Sequence, residues 1–67
     1  MDSRARLAKN LIRLRGERGW SQEDLADEAG LHRTYVSGLE RRVRNPTLAI
    51  LDKLAKALKV SAASLLN

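Results

Sequence analysis

The chain has 67 residues, no cysteine, one histidine and a formal charge of +5 at pH 7. A domain of this size buries only about 60% of the surface that its unfolded chain exposes, so one small core is expected, with no second domain and no large substrate cleft. Without thiols there is no disulfide and no cysteine-based metal site, and without a long apolar run there is no membrane span or signal peptide; the expected setting is cytoplasmic.

The first expected element is a helix from Ser3 to about Gly16. Leu7, Leu11 and Leu14 recur at spacings of four and three, Ala8 and Ile12 widen the stripe, and Gly16 with Gly19 ends it. Residues 1–20 carry six Arg and Lys against Asp2 and Glu17, whereas residues 21–30 carry Glu23, Asp24, Asp27 and Glu28 and no base. This uneven field suits a surface with one side turned to a polyanion, or a charged shell facing solvent.

Ser21-Gln22-Glu23-Asp24 has the spacing of a capping box, which predicts a second helix over about 22–29. With Ser21 as cap, Trp20 and Leu25 form a hydrophobic staple; Leu25, Ala26 and Ala29 face the core, and Gly30 supplies a left-handed end. A third helix is expected over about 33–41. His32 is its cap, an unusual residue type there, and Leu31 with Val36 repeats the staple. Val36, Leu39 and Val43 make the inward stripe; Thr34, Ser37, Gly38 and Arg41 face outward, with Arg33 on their flank.

Asn45-Pro46 breaks that segment, because proline disfavours helix at the residue before it and has no amide to donate. Thr47 then caps a fourth helix with Leu48, Leu51, Leu54, Ala55 and Leu58 on its apolar face and with Asp52 and Lys56 spaced for an ion pair. Ser61 caps a last short helix carrying Ala62, Leu65 and Leu66. The expected architecture is all-α, a compact five-helix bundle, with residues 1–67 as one domain.

Only Gly30 and Leu31 separate the second helix from the third, which is the layout of a helix-turn-helix. In that arrangement the second helix braces on the duplex backbone and the third lies in the major groove, whose width admits one α-helix. Arg33, Thr34, Ser37 and Gly38 are suitably polar or small, and an arginine can donate two bonds to O6 and N7 of guanine.

Residues 21–58 resemble the Xre-type helix-turn-helix family, whose fold is the five-helix domain of the lambdoid phage repressors. The resemblance rests on Ser21-Gln22, Leu25-Ala26, Gly30, Val36-Ser37, Leu39-Glu40, Pro46-Thr47 and the run Leu54-Ala55-Lys56-Ala57-Leu58. Arg33-Thr34-Tyr35-Val36-Ser37-Gly38 further resembles the recognition helix of restriction-modification controller proteins, which are small dimeric regulators. The resemblance implies base contacts from Arg33, Thr34 and Ser37, and phosphate contacts from Gln22, Tyr35, Arg41 and Arg44. It also implies a structural ion pair between Glu40 and a base of helix one, here Arg15. Tyr35 serves equally as core-edge packing, Arg41, Arg42 and Arg44 as solvated charge, and Gly38 either admits a close backbone approach or removes a contact. His32 has no second histidine or cysteine with which to build a metal site.

With one His, no Cys and acids concentrated on one exposed helix, no set of nucleophile, base and orienting group can be proposed, and no phosphate-binding glycine pattern occurs, so an enzyme is not expected. A basic amphipathic peptide on a membrane surface and an antitoxin-like protein-interaction module are the competing classes. The sequence reads best as a sequence-specific double-stranded DNA-binding transcriptional regulator without metal, cofactor or small-molecule ligand. It is expected to act as a homodimer on half-sites roughly 34 Å apart, with Leu65, Leu66 and the exposed edge of helix four as the dimer surface.

Overall fold

Helix boundaries in this chain follow from where the backbone amides and carbonyls find partners. The computed structural model describes residues 2–67, with α1 at Ser3–Glu17, α2 at Gln22–Ala29, α3 at Arg33–Glu40 and α4 at Leu48–Leu58, then a 3-10 turn at Ala63–Leu65. Asp2 Oδ1 accepts from the Ala5 amide at 2.9 Å and opens α1; that bond holds the Asp2 carboxyl below its ordinary pKa. At α2 the Ser21 hydroxyl accepts from the Asp24 amide at 3.0 Å while Asp24 Oδ2 accepts from the Ser21 amide at 2.9 Å, a complete capping box. Thr47 Oγ1 accepts from the Ile50 amide and opens α4. At α3, His32 holds the cap position without a side-chain bond.

All four helices end alike. The residue in the left-handed conformation donates to the carbonyl three positions back and the next residue to the carbonyl five back: Gly19 and Trp20, Gly30 and Leu31, Arg42 and Val43, Lys59 and Val60. The left-handed φ is 69° at Gly19 and Gly30, 66° at Arg42 and 57° at Lys59. Glycine adopts it freely, whereas a side chain there costs about 1–2 kcal/mol.

Leu7, Leu11 and Leu14 of α1, Leu25 of α2, Val36 and Leu39 of α3, and Leu51, Leu54 and Leu58 of α4 meet in one core. Trp20 and Leu31, the leading residues of the two staples, pack half-buried on its edge. Two long-range ties were not legible in the sequence. Asn10, buried in α1, donates to the carbonyls of Leu65 at 2.9 Å and Asn67 at 3.0 Å and so seats the chain after α4. Arg18 donates to the Leu14 carbonyl at 2.8 Å and to the Leu58 carbonyl, joining the carboxyl ends of α1 and α4, where a cation also meets the helix dipoles.

Several expectations are corrected. The fifth helix is a single 3-10 turn, although Ser61 does cap it by accepting from the Ser64 amide. Gly16 lies inside α1, which ends at Glu17. Ile12, Val43 and Leu48 are exposed, at 47%, 62% and 81%, rather than inward-facing. Ile12 is rotated about 100° from Leu11, Val43 lies beyond the end of α3, where helical spacing no longer applies, and Leu48 is the first residue of α4, one turn before the core begins at Leu51. Leu65, expected at a dimer surface, is fully buried in the core of its own chain, and only Leu66 of that pair keeps accessible surface. Asp52 and Lys56 form no ion pair among the described residues; the i,i+4 pair that forms is Arg13 with Glu17 at 3.2 Å. No helix among those residues is long and apolar enough to cross a membrane.

Relief of the left-handed strain is measurable at Lys59, which is exposed. Lys59→Gly gains about 0.5–1 kcal/mol after the entropy cost of glycine is subtracted, a rise of about 2–8 °C in the midpoint of thermal unfolding. An unchanged or lower midpoint would show that the ammonium charge near the end of α4 outweighs the strain.

Candidate nucleic-acid interface

The face of α3 that carries Val36, Leu39 and Glu40 is buried, and so is Gly38, expected to face outward; Arg33 and Thr34 turn to solvent, and Tyr35 and Ser37 are half-buried. The tight joint at Gly30 and Leu31 sets α3 directly against α2. As a result Arg33, at the start of α3, and Gln22, at the start of α2, border one open depression together with Arg15, Ser21 and Glu23. Residues 11 positions apart at the two helix starts are thereby placed side by side, and the first amides of α2 point to the same end.

Glu40 organises this depression from beneath. Arg15 donates to it twice, Nε to Oε2 at 2.7 Å and Nη2 to Oε1 at 2.9 Å, and Gln22 Nε2 donates to Oε1 at 2.9 Å. A third bond, from Arg15 Nη1 to the Trp20 carbonyl at 3.1 Å, locks the guanidinium plane. The Glu40 side chain is only 4% exposed and that of Arg15 21%. Hydrogen bonding to Glu40 first, and its charge second, hold Arg15 above its ordinary pKa against the opposing effect of burial. One amide hydrogen and the carbonyl oxygen of Gln22 stay outside this network, as do two guanidinium hydrogens of Arg15, so both side chains keep capacity toward the depression.

At the other end of α3, Arg41, Arg42 and Arg44 are all exposed. Arg44 folds back over the helix: its Cζ lies 5.4 Å from the Tyr35 ring centroid, and a Cβ built on Gly38 would lie 2.9 Å from its Cδ. Gly38 therefore makes room for the Arg44 stem, and the neighbour that approaches it is a side chain of the following loop. The Tyr35 hydroxyl donates to the Asn45 carbonyl at 3.3 Å and fastens the same loop. Tyr35 thus combines packing with a polar tip. His32 is exposed, and no group of three metal-ligating side chains occurs among the described residues.

Residues 11–65 match the helix-turn-helix family HTH_3. The chain belongs to that family. It is 51% identical over 65 residues to the Neisseria hypothetical transcription factor of Neisseria meningitidis, a match covering 97% of this chain and 61% of that protein. It is also similar to the solved restriction-modification controller protein C.AhdI from Aeromonas hydrophila, with 42% identity, a TM-score of 0.88 and 92% and 94% of the two chains covered. The biofilm regulator SinR, solved in complex with DNA, gives 34% identity and a TM-score of 0.86 over 91% of this chain and 98% of that one. The chain spans 61% of the length of the Neisseria protein. These relatives are transcription regulators and controller proteins by name, not enzymes.

Glu40→Ala strands the Arg15 guanidinium and frees Gln22, and a cost of about 3 kcal/mol is expected for breaking such a pair. That is a large part of the few kcal/mol of stability in a domain this small. Urea unfolding should move to clearly lower denaturant. A normal midpoint combined with impaired DNA binding would assign Glu40 to the interface rather than to the fold.

Proposed function

We propose that residues 1–67 act as a sequence-specific double-stranded DNA-binding transcriptional regulator, a homodimer in the cytoplasm that reads paired half-sites with α3 in the major groove. The observation that carries the reading is the exposed start of α3 beside the start of α2, with Arg33 and Gln22 on one depression. A helix entering the groove by its amino-terminal end brings Arg33, Thr34 and Ser37 to base edges, while Gln22 and the first amides of α2 meet a phosphate. Tyr35, Arg41 and Arg44 flank the helix on the side of the following loop and fit backbone contacts. The likeness to C.AhdI supports control of a restriction-modification operon as the narrower role. Burial of Leu51, Leu54 and Leu58 occupies the apolar face of α4 that a membrane-surface peptide needs.

Selection of bound duplexes from a random pool tests the reading, and recovery of no preferred sequence would overturn it. On the selected site Arg33→Ala should cost about 1–3 kcal/mol and relax preference at one base position. Arg44→Ala should weaken selected and random duplexes alike and reduce the salt slope by about one unit. An Arg33 variant weakened equally on both would remove its base-reading role.

One recognition helix covers too few base pairs to find a site in a genome, which is the argument for two copies. Leu66 is half-buried on the rim of a cleft formed with Leu7, Pro46 and Leu51, and the exposed Leu48 starts the free edge of α4. Leu66→Asp and Leu48→Asp should each shift sedimentation toward monomer, keep the helical spectrum, and weaken binding to paired half-sites more than to a single one. Dimers that persist in both variants would place the interface on another face.

A further inference from the structure

Position 10 of α1 carries an asparagine on a stripe that is otherwise apolar. Leu7, Leu11 and Leu14 surround it in the helical repeat, and asparagine is a poorer helix former than leucine. It is 7% exposed and, with Glu40, is one of two buried polar side chains among the described residues. A buried amide is tolerated where both of its hydrogens find acceptors. Here they find them on the segment after α4. Asn10 Nδ2 donates to the Leu65 carbonyl at 2.9 Å and to the Asn67 carbonyl at 3.0 Å, with the Ser64 carbonyl further off at 3.4 Å.

Seating the terminal turn in the core does not require this group, because the Leu65 side chain is fully buried there. What the amide adds is control of the backbone around Leu66. The peptide unit that joins Leu65 to Leu66 is held at both ends: its carbonyl accepts from Asn10, and its N–H donates to the Ala63 carbonyl at 3.1 Å. On the other side of Leu66, the Asn67 carbonyl is tied to the same Asn10 amide. Leu66 is thereby fixed between two anchored points, half-buried on the rim of the cleft with Leu7, Pro46 and Leu51. A leucine at position 10 suits α1 better and leaves that rim loosely held.

We propose that Asn10 is a positioning residue for self-association, which holds Leu66 in place before a second copy of the chain meets it. A surface ordered in advance loses less entropy when it associates. Asn10 itself stays buried and acts through Leu66. This inference rests on the reading of the protein as a homodimer with Leu66 at its interface.

The rival explanation is that Asn10 merely satisfies the last carbonyls of a turn and contributes to stability alone. Arg18 is the internal control, since it also ties α1 to distant carbonyls, at Leu58, but lies eight positions along the chain, about 12 Å at the rise of a helix. Asn10→Ala empties the buried site and Asn10→Leu fills it, and neither can donate. Both are compared with Arg18→Ala, Leu66→Ala and the double variant of Asn10→Leu with Leu66→Ala. Self-association is read by sedimentation over a concentration series well below each unfolding midpoint, and stability by thermal unfolding of the dilute chain. Both Asn10 variants are expected to associate about three- to tenfold more weakly and to keep their affinity for a duplex with a single half-site. Arg18→Ala should unfold earlier yet associate normally. In the Leu66→Ala background, Asn10→Leu should cause no further loss of association, as two residues acting through one contact require. Normal association of Asn10→Leu would overturn the proposal, as would a full loss that persists without Leu66 or an equal loss in Arg18→Ala. If the unaltered chain stays monomeric at every concentration and on paired half-sites, the homodimer reading itself fails and takes this role with it, an outcome distinct from those seen in the variants.

Discussion

A buried carboxylate is tolerated only where donors meet it, and the relative placement of α1, α2 and α3 depends on that condition at Glu40. Moving such a group out of water costs several kcal/mol unless its lone pairs are used. Here two nitrogens of Arg15 and one of Gln22 converge on it from two other helices. The three bonds tie α3 to both α1 and α2 at once. The bond from Gln22 carries the constraint to the surface, because it orients the side chain that borders the same depression as Arg33. Fold and interface thus share one group, and the precision of the interface follows from the rigidity of the core beneath it.

Short helices need such help. α2 and α3 have eight residues each, below the length at which an isolated helix holds in water. α2 is supported at both ends, by its capping box and by Gly30. α3 lacks a side-chain cap at its start and has a strained residue just past its end, so its stability comes from the burial of Val36 and Leu39 and from the Glu40 network. The start of α3 is left without a side-chain bond from its cap residue, and Arg33 and Thr34 in its first turn are exposed.

Local signals in the sequence were legible because their physics is local. The capping box at Ser21, the staples led by Trp20 and Leu31, the end at Gly30 and the cap at Thr47 each involve residues within five positions of one another, and their spacing alone specifies them. The exposed polar residues of α3 follow from the same periodicity once the inward stripe is set. What escaped depends on parts of the chain far apart in sequence. Asn10 meets carbonyls more than 50 positions away, and Arg18 meets one 40 positions away; neither asparagine nor arginine advertises a carbonyl partner. The path of Arg44 depends on the turn that Arg42 makes, and a left-handed arginine has no compositional signature. Leu65 and Leu66 are both expected at a dimer surface because a core this small cannot easily hide two adjacent leucines. In the 3-10 turn one points fully inward, and the other is left at the rim.

Charge placement then decides how a polyanion is approached. The protein extends 26 × 22 × 21 Å, more than twice the roughly 8 Å over which charges act at physiological salt. The net charge therefore matters less than the groups near each face. Along α2, Asp27 and Glu28 lie about 7.5–9 Å from Gln22 at the rise of a helix, close to the screening distance, and neither forms an ion pair among the described residues. Their repulsion of phosphate therefore fades within the length of the helix at physiological salt and reaches Gln22 more strongly in dilute salt. Asp24, closer to the start, has one carboxylate oxygen bonded to the Ser21 amide, and the exposed charges at the far end of α3 are all cationic, at Arg41, Arg42 and Arg44. The acids of α2 thus repel a duplex that runs along that helix. Glu23, exposed in the first turn on the depression that Gln22 and Arg33 border, adds to that repulsion, so the cationic side of α3 is the face that a polyanion meets with least opposition.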